Sequence, residues 1–382
     1  MGDGTLGRRA FLKLGTVGTA AAVTGVSCGA EEAAPPAAAA GKLAFRTLGR
    51  TGMKITVVSV GSMRTEEEAV FRAAFDYGVN YIDTARGYTD GRNEGIVGRA
   101  LKGYRDKVYV ATKVAPSDKA RMKADIDESL KQLQVDYVDL LQLHNITSGD
   151  SVTNPEYREV LAEAKASGKT RFIGVTTHKN EAKVLDAVTN DPDQLYDTVL
   201  VTYNFKKGPD VKEAIARAAA KKVGVIAMKT QQGGYKTREL GDISPHQAAL
   251  KWVLQDTNVT AAIPSMVDLG QVKENLAVMG LPLTATELAV LKRYSDAIEP
   301  YYCYRCGACE ATCRGAVDIA EVNRCLMYAE GYGDLALARS TYAELPAGAG
   351  VSACTNCAEC TARCAHSINI AKQVEKARAL LA

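Results

Sequence analysis

The sequence is poor in aromatic side chains and in net charge. Its 382 residues include one tryptophan and six phenylalanines, and 47 basic residues stand against 44 acidic ones, a formal net charge of +3. The basic residues are scattered and form no stripe beside aromatic side chains, so a nucleic-acid-binding surface is not expected. No Gly-x-Gly-x-x-Gly motif follows a predicted strand, which argues against a Rossmann domain.

Cysteine is also nearly absent from the first 300 residues, where Cys28 stands alone. The other nine of the ten cysteines lie beyond residue 300. Such clustering indicates a bound cofactor rather than disulfides spread through a fold. The length accommodates one large domain of about 250 residues together with smaller parts.

Between residues 57 and 264, apolar β-rich runs alternate with amphipathic helical windows. The eight predicted strands are Val57–Gly61, Tyr81–Thr84, Val108–Val114, Val138–His144, Arg171–Thr176, Val199–Asn204, Val225–Lys229 and Ala261–Pro264. Helical windows include Thr65–Tyr77, Asp118–Leu133, Pro155–Ser167 and Pro245–Gln255. Strands that alternate with helices predict an α/β fold whose parallel sheet closes on itself, a (β/α)8 TIM barrel.

Four polar residues stand where this pattern would place apolar ones or a rim loop. Asp83 ends one predicted strand, Tyr88 lies on the glycine-marked loop after it, Lys113 lies within the next strand, and His144 ends the following one. A buried lysine is costly unless an acid pairs with it. Because the active site of such a barrel lies above the carboxyl ends of its strands, the four side chains form a candidate catalytic set.

This set resembles the Asp, Tyr, Lys, His tetrad of the aldo-keto reductase family, in the same order and at comparable spacings. Further segments that resemble the family are FRTLGRTGMKIT (Phe45–Thr56, an opening hairpin), GKTRFIGVTTH (Gly168–His178), TYNF (Thr202–Phe205) and AIPSM…ENL (Ala262–Leu276). The resemblance covers about Phe45 to Ile298. It implies a barrel domain over residues 42–298 with an N-terminal hairpin.

The resemblance also implies how the tetrad works. Reduction of a carbonyl by hydride needs a proton for the developing alkoxide, and a phenol donates poorly at neutral pH unless a cation stabilises its phenolate. The family pattern implies that Tyr88 is the general acid, that Lys113 is the cation and that Asp83 holds it. His144 would orient the substrate oxygen.

The cofactor contacts implied by the family match less completely. Tyr203 aligns with the aromatic residue that stacks on nicotinamide, and Thr176 and Thr177 stand where the family usually has Ser-Asn. Thr176 can replace the serine, whereas Thr177 has no amide to offer. Lys229, followed by Gly233 and Gly234, resembles the loop over the pyrophosphate.

At the adenosine end, Glu274 and Asn275 match the family pair at the adenine. Ser265, Met266 and Gln271 occupy positions where NADPH-preferring members tend to carry Lys, Ser and Arg. The missing cations remove the obvious partners of a 2′-phosphate. A nicotinamide dinucleotide is therefore expected, but a preference for NADP is not.

Two cysteine runs dominate residues 299–382. Cys303-x2-Cys306-x2-Cys309-x3-Cys313 is repeated as Cys354-x2-Cys357-x2-Cys360-x3-Cys364. Three thiolates on one loop suit three corners of a 4Fe–4S cubane, and in two-cluster ferredoxins the fourth cysteine ligates the other cluster. That resemblance implies one cluster on Cys303, Cys306, Cys309 and Cys364, and a second on Cys354, Cys357, Cys360 and Cys313.

Paired zinc sites and a disulfide framework remain alternatives for these cysteines, although both suit the spacing less well. The proline that usually follows the fourth cysteine is missing, since Arg314 and Ala365 stand there. Helical windows at Ile319–Glu330 and Leu335–Ala343 separate the runs, so residues 299–382 are predicted to form a small, mainly α-helical, ferredoxin-like domain. Cys325 is interpreted as a buried spare thiol.

Residues 1–41 have the pattern of an export signal and linker. Gly7-Arg8-Arg9-Ala10-Phe11-Leu12-Lys13 matches the twin-arginine motif, and the weakly apolar run Leu14–Ser27 is too short to span a bilayer. Cys28 follows Gly25-Val26-Ser27, which partly matches a lipoprotein box, so both a lipid on Cys28 and simple cleavage in the alanine-rich tract remain open. Either outcome predicts a periplasmic or cell-envelope protein.

Three hypotheses for function follow. The first is an exported oxidoreductase that interconverts a small carbonyl compound and an alcohol, while its two clusters relay single electrons to or from a redox partner protein. The second is an iron–sulfur electron-transfer protein that uses the barrel as a docking scaffold. In the third, the clusters are purely structural.

Overall fold

The computed structural model describes residues 42–382. The predicted twin-arginine motif, Cys28 and the Ala/Pro-rich linker lie outside the described residues. None of the helices between residues 42 and 382 is both long and apolar enough to cross a membrane.

An eight-stranded parallel sheet forms the centre of the fold. In chain order the strands after the opening hairpin are β3 (Val60–Gly61), β4 (Tyr81–Asp83), β5 (Tyr109–Val114), β6 (Val138–Leu143), β7 (Thr170–Thr177), β8 (Thr198–Thr202), β9 (Gly224–Met228) and β10 (Ala261–Ala262). Each pairs with its sequence neighbour. The ring closes through parallel bridges that join Val58 to Ala262 and Gly61 to Ser265. The predicted barrel is therefore confirmed.

A short antiparallel hairpin precedes the barrel, as predicted. It consists of β1 (Phe45–Thr47) and β2 (Lys54–Thr56). Its Leu48 is fully buried and packs with side chains from inside the strand ring. Because Leu48 fills the amino-terminal end of the ring, the opposite, carboxyl end is the one left for a site.

Helices cover the outside of the sheet. They are α1 (Glu68–Asp76), α2 (Asn93–Ala100), α3 (Lys119–Leu133), α4 (Gly149–Thr153), α5 (Pro155–Ala166), α6 (Glu181–Thr189), α7 (Pro209–Ala220), α8 (Pro245–Leu254), α9 (Leu269–Leu276) and α10 (Ala285–Ile298). Side-chain caps begin several of them: Asp118 accepts from the amide of Arg121, and Asp268 from that of Gln271. The main core lies between these helices and the strands.

Residues 299–382 form a helical segment that packs on the barrel. Its helices are α11 (Ala308–Thr312), α12 (Ile319–Glu330), α13 (Leu335–Ala343) and α14 (Ile370–Leu380). The segment has its own apolar core, and barrel and segment belong to one compact unit. The bounds of α12 and α13 agree with the sequence windows, whereas α11 and α14 were not predicted.

The helical segment lies over the carboxyl end of the barrel. The Gly234 amide donates a 2.6 Å hydrogen bond to the Gly331 carbonyl, and Lys179 pairs with Glu310 at 3.1 Å. The guanidinium of Arg64 lies 4.3 Å from the centre of the Tyr332 ring. The segment therefore forms part of the wall around the barrel mouth.

Candidate active site

Asp83, Tyr88 and Lys113 meet at the mouth of the barrel. Lys113 is buried on β5, and its ammonium makes a short ion pair with Asp83 at the end of β4. The same ammonium donates to the phenol oxygen of Tyr88 at 3.0 Å and to the carbonyl of Thr84 at 2.6 Å. Burial disfavours the charged amine, but Asp83 and Tyr88 outweigh it, so the pKa of Lys113 is raised.

His144 completes the group from the next strand. Its ring is edge-on to that of Tyr88, with the ring centres 5.9 Å apart. Its backbone amide donates to Val114, which holds the residue at the strand end. Burial, and then the positive charges of Lys113 and Arg324, lower the pKa of His144 to about 3. The imidazole is therefore neutral near pH 7 and can donate or accept one hydrogen bond.

Gln142 is a fifth member of the group that sequence reasoning missed. It lies on β6 directly beside Lys113 in the register, is fully buried, and donates to the second carboxylate oxygen of Asp83 at 2.8 Å. The phenol of Tyr81 approaches that oxygen at 3.4 Å. The signal was present, because Gln142 is an amide within the apolar run VDLLQLH.

A groove leads from this group across the barrel mouth. The cavity measures about 250 Å³, and Asp83 and Tyr88 line it. Residues predicted to bind the cofactor also line it: Lys229, Ser265, Gln271, Glu274 and Asn275. The structure thus brings five of the eight predicted cofactor residues into one groove with Asp83 and Tyr88 of the tetrad.

Three of the predicted adenosine contacts are held by hydrogen bonds. Asn275 accepts from Gln231 at 2.7 Å, Glu274 accepts from the hydroxyl of Ser244, and Gln271 accepts from the amide of Val267 at 3.1 Å. These bonds fix the side chains before any ligand arrives.

The other three predicted cofactor residues do not line the groove. Thr176 accepts a 2.7 Å bond from the amide of Asn145, and Thr177 donates to the carbonyl of Lys179. Tyr203 is buried in the main core and donates to Asp256 at 3.1 Å. These three hydroxyls are engaged by protein groups.

The C-terminal segment reaches this groove, which the sequence did not indicate. Gly331 and Tyr332 line it, and the ammonium of Lys229 donates to the phenol oxygen of Tyr328 at 2.8 Å. Arg324 donates to the same oxygen at 3.0 Å. Although burial opposes ionisation, these two cations lower the pKa of Tyr328.

The eight motif cysteines surround two further cavities. Cys303, Cys306, Cys309 and Cys364 line one. Cys313, Cys354, Cys357 and Cys360 line the other. The fourth cysteine of each run thus lines the same cavity as the first three cysteines of the other run. All nine cysteines in the described part of the chain are free, and Cys325 is fully buried in the apolar core of the segment.

Among residues 42–382, no three His, Cys, Asp or Glu side chains stand close enough to share a single metal ion. The cavity lined by Cys313, Cys354, Cys357 and Cys360 measures about 510 Å³, and the cavity lined by Cys303, Cys306, Cys309 and Cys364 measures about 10 Å³. In a cubane each thiolate binds a different iron atom, so the ligands of such a cluster do not meet at one point.

Comparison with known proteins agrees with the barrel. The family described as "Aldo/keto reductase family" matches residues 52–240 and 236–296. The L-galactose dehydrogenase of Arabidopsis thaliana is 30% identical over 62% of this chain and 88% of its own length. The methylglyoxal reductase YeaE of Escherichia coli is 30% identical over 61% of this chain and 85% of its own.

Among solved structures, an aldo-keto reductase from Klebsiella pneumoniae in complex with NADPH superposes with a TM-score of 0.57 at 27% identity. The match covers 66% of this chain and 95% of that one. The barrel fold is thus shared with an aldo-keto reductase of known structure. The chain belongs to the aldo/keto reductase family.

Proposed function

We propose that the protein interconverts carbonyl compounds and alcohols, with Tyr88 as the group that gives and takes the proton. The observation that carries this proposal is the position of Lys113, whose ammonium contacts both Asp83 and the phenol oxygen of Tyr88. A cation 3.0 Å from a phenol oxygen favours the phenolate that remains after proton donation. The same arrangement serves the reverse reaction, in which the phenolate is the base.

The neighbours of the pair have separate roles in this proposal. Asp83 holds the ammonium in place, and Gln142 holds Asp83 by its second oxygen. A neutral His144 beside Tyr88 can bond to the substrate oxygen without adding a charge that would repel Lys113. The burial of Asp83 and Lys113 keeps water from weakening their attraction.

The groove supports a nicotinamide dinucleotide as the second reactant, and a bound dinucleotide supplies the hydride. Lys229 and Gly233 would lie at its phosphates, and Glu274 with Asn275 at its adenine. At the predicted adenosine contacts, Ser265 and Gln271 are neutral, which supports the inference that NADP is not preferred over NAD. Small carbonyl compounds are the substrate class of the family, and the rim loops carry no diagnostic pocket for one of them.

Replacement of Tyr88 by Phe tests the proposal. Because a positioned general acid contributes about 10²–10⁴-fold, Tyr88→Phe should lower the rate of NAD(P)H-dependent carbonyl reduction by that factor. Binding of the dinucleotide should persist, as measured by calorimetry. Tyr157→Phe, on α5 outside the groove, is the matched control. Full turnover by Tyr88→Phe would instead favour a barrel that serves only as a docking scaffold.

We further propose that the two cysteine sets each hold a 4Fe–4S cluster. The support is the crossed arrangement, in which Cys364 joins the first run and Cys313 joins the second. Thiolate is the ligand that such clusters take, and each cavity offers four. The clusters would supply one-electron transfer.

Iron analysis of single variants tests this assignment. Cys364→Ala should lower the iron content from about eight to about four atoms per chain, and Cys303→Ala should have the same effect on the same cluster signal in paramagnetic resonance spectra. Cys325→Ala is the matched control and should keep all the iron. If Cys364→Ala instead removed the signal that depends on Cys354, the crossed assignment would be wrong.

The barrel and clusters together support an enzyme that exchanges electrons with a redox partner protein. Hydride transfer moves two electrons and a cubane moves one, so this coupling requires a partner or state that separates the pair. The retained ion pair of Lys113 and Asp83 favours an active enzyme over a scaffold, because a buried lysine is costly to keep without a role. Redox titration during turnover tests it, since purely structural clusters would not change state.

We also propose that the protein is exported by the twin-arginine route. The support is the Arg8-Arg9 motif. Because this route carries folded proteins, the proposed clusters could be assembled before export. Replacing both arginines by lysine should leave the protein in the cytoplasmic fraction. Mass analysis of the exported form would show either a lipid on Cys28 or cleavage in the linker.

A further inference from the structure

A second, smaller cavity separates the barrel mouth from the C-terminal segment. Its barrel side includes His178 and Lys229, and its other side includes Arg305, Asn323 and Arg324. The cavity measures about 50 Å³, several times what a single buried water needs, about 10–15 Å³. It therefore has room for a small polyatomic group.

The charges around this cavity are unbalanced. Arg305 pairs with Glu321, and Arg324 shares the same carboxylate at 2.5 Å. Lys229 donates to the phenol of Tyr328, and within residues 42–382 no carboxylate lies at ion-pair distance from it. Lys207, which also lines the cavity, is neutralised by Glu181 at 2.6 Å. The other three cations face one carboxylate, so two positive charges have no carboxylate partner at this interface. Buried charge of one sign is costly unless an opposite charge neutralises it.

The cavity also has hydrogen-bond donors without acceptors. Nε and Nη1 of Arg305 and Nδ2 of Asn323 are buried and have no partner in the described part of the chain. The Arg305 side chain is 10% exposed and Asn323 is 5% exposed. Since buried donors are nearly always satisfied, these atoms indicate an acceptor that occupies the space.

This cavity adjoins the candidate active site. His178, Lys229 and Gln232 line both the groove that contains Tyr88 and the smaller cavity. Cys303, Arg305 and Asn323 line both the small cavity and the first cysteine cavity, whereas His178, Lys229 and Arg324 line the small cavity and not the cysteine one. Lys229 from the barrel and Arg324 from the segment are therefore the cations that face a ligand entering through the groove.

We propose that the small cavity is an anion-binding subsite for the carboxylate or phosphate of the substrate. The substrate would then be an anionic carbonyl compound, such as a keto acid or a phosphorylated aldehyde. This step rests on the proposed function, because the reacting carbonyl would lie at Tyr88 in the adjoining groove. The subsite is shared between barrel and C-terminal segment, so the segment helps to select the substrate.

Anion binding tests the subsite without any turnover. Inorganic phosphate and acetate would be titrated by calorimetry into the full chain saturated with NADP⁺, so that the phosphate positions of the groove are filled. Wild-type protein should bind one anion, and the stronger of the two identifies the class. Loss of a charge-assisted donor should weaken binding about tenfold or more in Arg305→Gln and in Asn323→Leu.

The matched control is Arg339→Gln, which removes an exposed cation from the same segment and should bind the anion as wild type does. Iron content is measured for every variant. Arg305 lies between two motif cysteines, so if Arg305→Gln loses iron or fails to fold, Asn323→Leu decides. Unchanged affinity in Asn323→Leu, or no binding by wild type at millimolar anion, would overturn the proposal.

Two comparisons separate this inference from the proposed function. Tyr88→Phe should bind phosphate normally, since the subsite does not use the phenol. Glyceraldehyde 3-phosphate and glyoxylate should displace the bound phosphate, whereas uncharged glyceraldehyde should not. If uncharged glyceraldehyde also displaced the phosphate, the anionic group of the substrate would not be what the cavity recognises, and the proposal would be wrong. An inactive protein that still binds phosphate through Asn323 would leave the subsite standing and the proposed reaction wrong.

Discussion

Lys229 and Tyr328, which lie 99 residues apart, meet across the interface between barrel and C-terminal segment. The ammonium donates to the phenol oxygen at 2.8 Å, and Arg324 donates to the same oxygen at 3.0 Å. Two cations thus converge on one phenol oxygen. The bond joins the loop that lines the groove to the helix that covers it.

Removal of this phenol should weaken the interface. Tyr328→Phe leaves two buried cations facing an apolar ring, and the loss of a buried acceptor for charged donors costs about 1–3 kcal/mol in the free energy of unfolding. Urea denaturation measures the change. Tyr332→Phe, whose half-buried ring stacks on Tyr328, is the control and should cost less. Equal losses for the two variants would show that the hydroxyl of Tyr328 is not what stabilises the interface.

Gln142→Leu should lower the catalytic rate while leaving the dinucleotide affinity unchanged. The amide holds one oxygen of Asp83 at 2.8 Å, and its loss lets the carboxylate turn away from Lys113. We expect about a tenfold fall in kcat, the effect of one lost hydrogen bond of about 1.4 kcal/mol. The pH–rate profile should shift, because the cation beside Tyr88 is less firmly placed. Gln132→Leu is the matched control, because it makes the same substitution on α3, away from the tetrad.

A profile that keeps its shape, with a lower kcat and weaker dinucleotide binding, would contradict a positioning role for Gln142. That outcome would indicate general damage to the barrel.

The pH dependence of stability should carry the signature of His144. Its pKa is lowered to about 3 in the folded protein, whereas an unfolded histidine titrates near 6.5. Below pH 6.5 the unfolded state therefore binds a proton that the folded state refuses, so stability falls as the pH drops from about 6.5 toward about 3. We expect a loss of about 1–3 kcal/mol from this residue, reduced from the full linkage value because the ring is partly exposed.

His144→Gln should flatten this acid limb, measured by urea unfolding at several pH values. His178, whose pKa burial also lowers, should retain its own share of the slope. An acid limb that is unchanged in His144→Gln would mean that the imidazole titrates normally in the folded protein.

Gly49→Ala should destabilise the hairpin that closes the barrel floor. Gly49 has a φ of +48°, and an added Cβ would lie 2.3 Å from the backbone nitrogen of Gly224. Gly52 also has a positive φ, +72°, but nothing lies within 4 Å of its Cβ position. Gly52→Ala should cost about 1–2 kcal/mol from backbone strain alone, and Gly49→Ala distinctly more. Urea denaturation compares the two, and equal costs would mean that the hairpin can move away from Gly224.

Local patterns predicted much of this fold. The alternation of apolar strands and amphipathic helices placed the eight strands, and α12 and α13 have the predicted bounds because their caps and apolar spacing are local signals. The helix after β6, α4 (Gly149–Thr153), was not predicted, because it is too short to show a periodic pattern of apolar residues. The end strands are also shorter than predicted, because ring closure there uses isolated bridges.

Some residues of the candidate site could likewise be predicted from the sequence, and others could not. Asp83, Lys113 and His144 could be found because each is a polar residue at or near a strand end, and parallel strands bring such ends together. Gln142 was missed although it has the same signal. The contacts of Thr176, Thr177 and Tyr203 depend on which neighbour each hydroxyl meets, which spacing does not reveal.

The amino-acid sequence alone determined the barrel and the spacing of the two cysteine runs, because these follow from local patterns. It also indicated the tetrad, through polar residues at strand ends and their resemblance to the family set. Only the tertiary structure decided that α12 lies across the barrel mouth, where Arg305, Asn323 and Arg324 meet His178 and Lys229. That meeting joins segments about a hundred residues apart. It results from the burial of two apolar faces against each other, and local hydrophobic periodicity does not reveal which distant faces pack together.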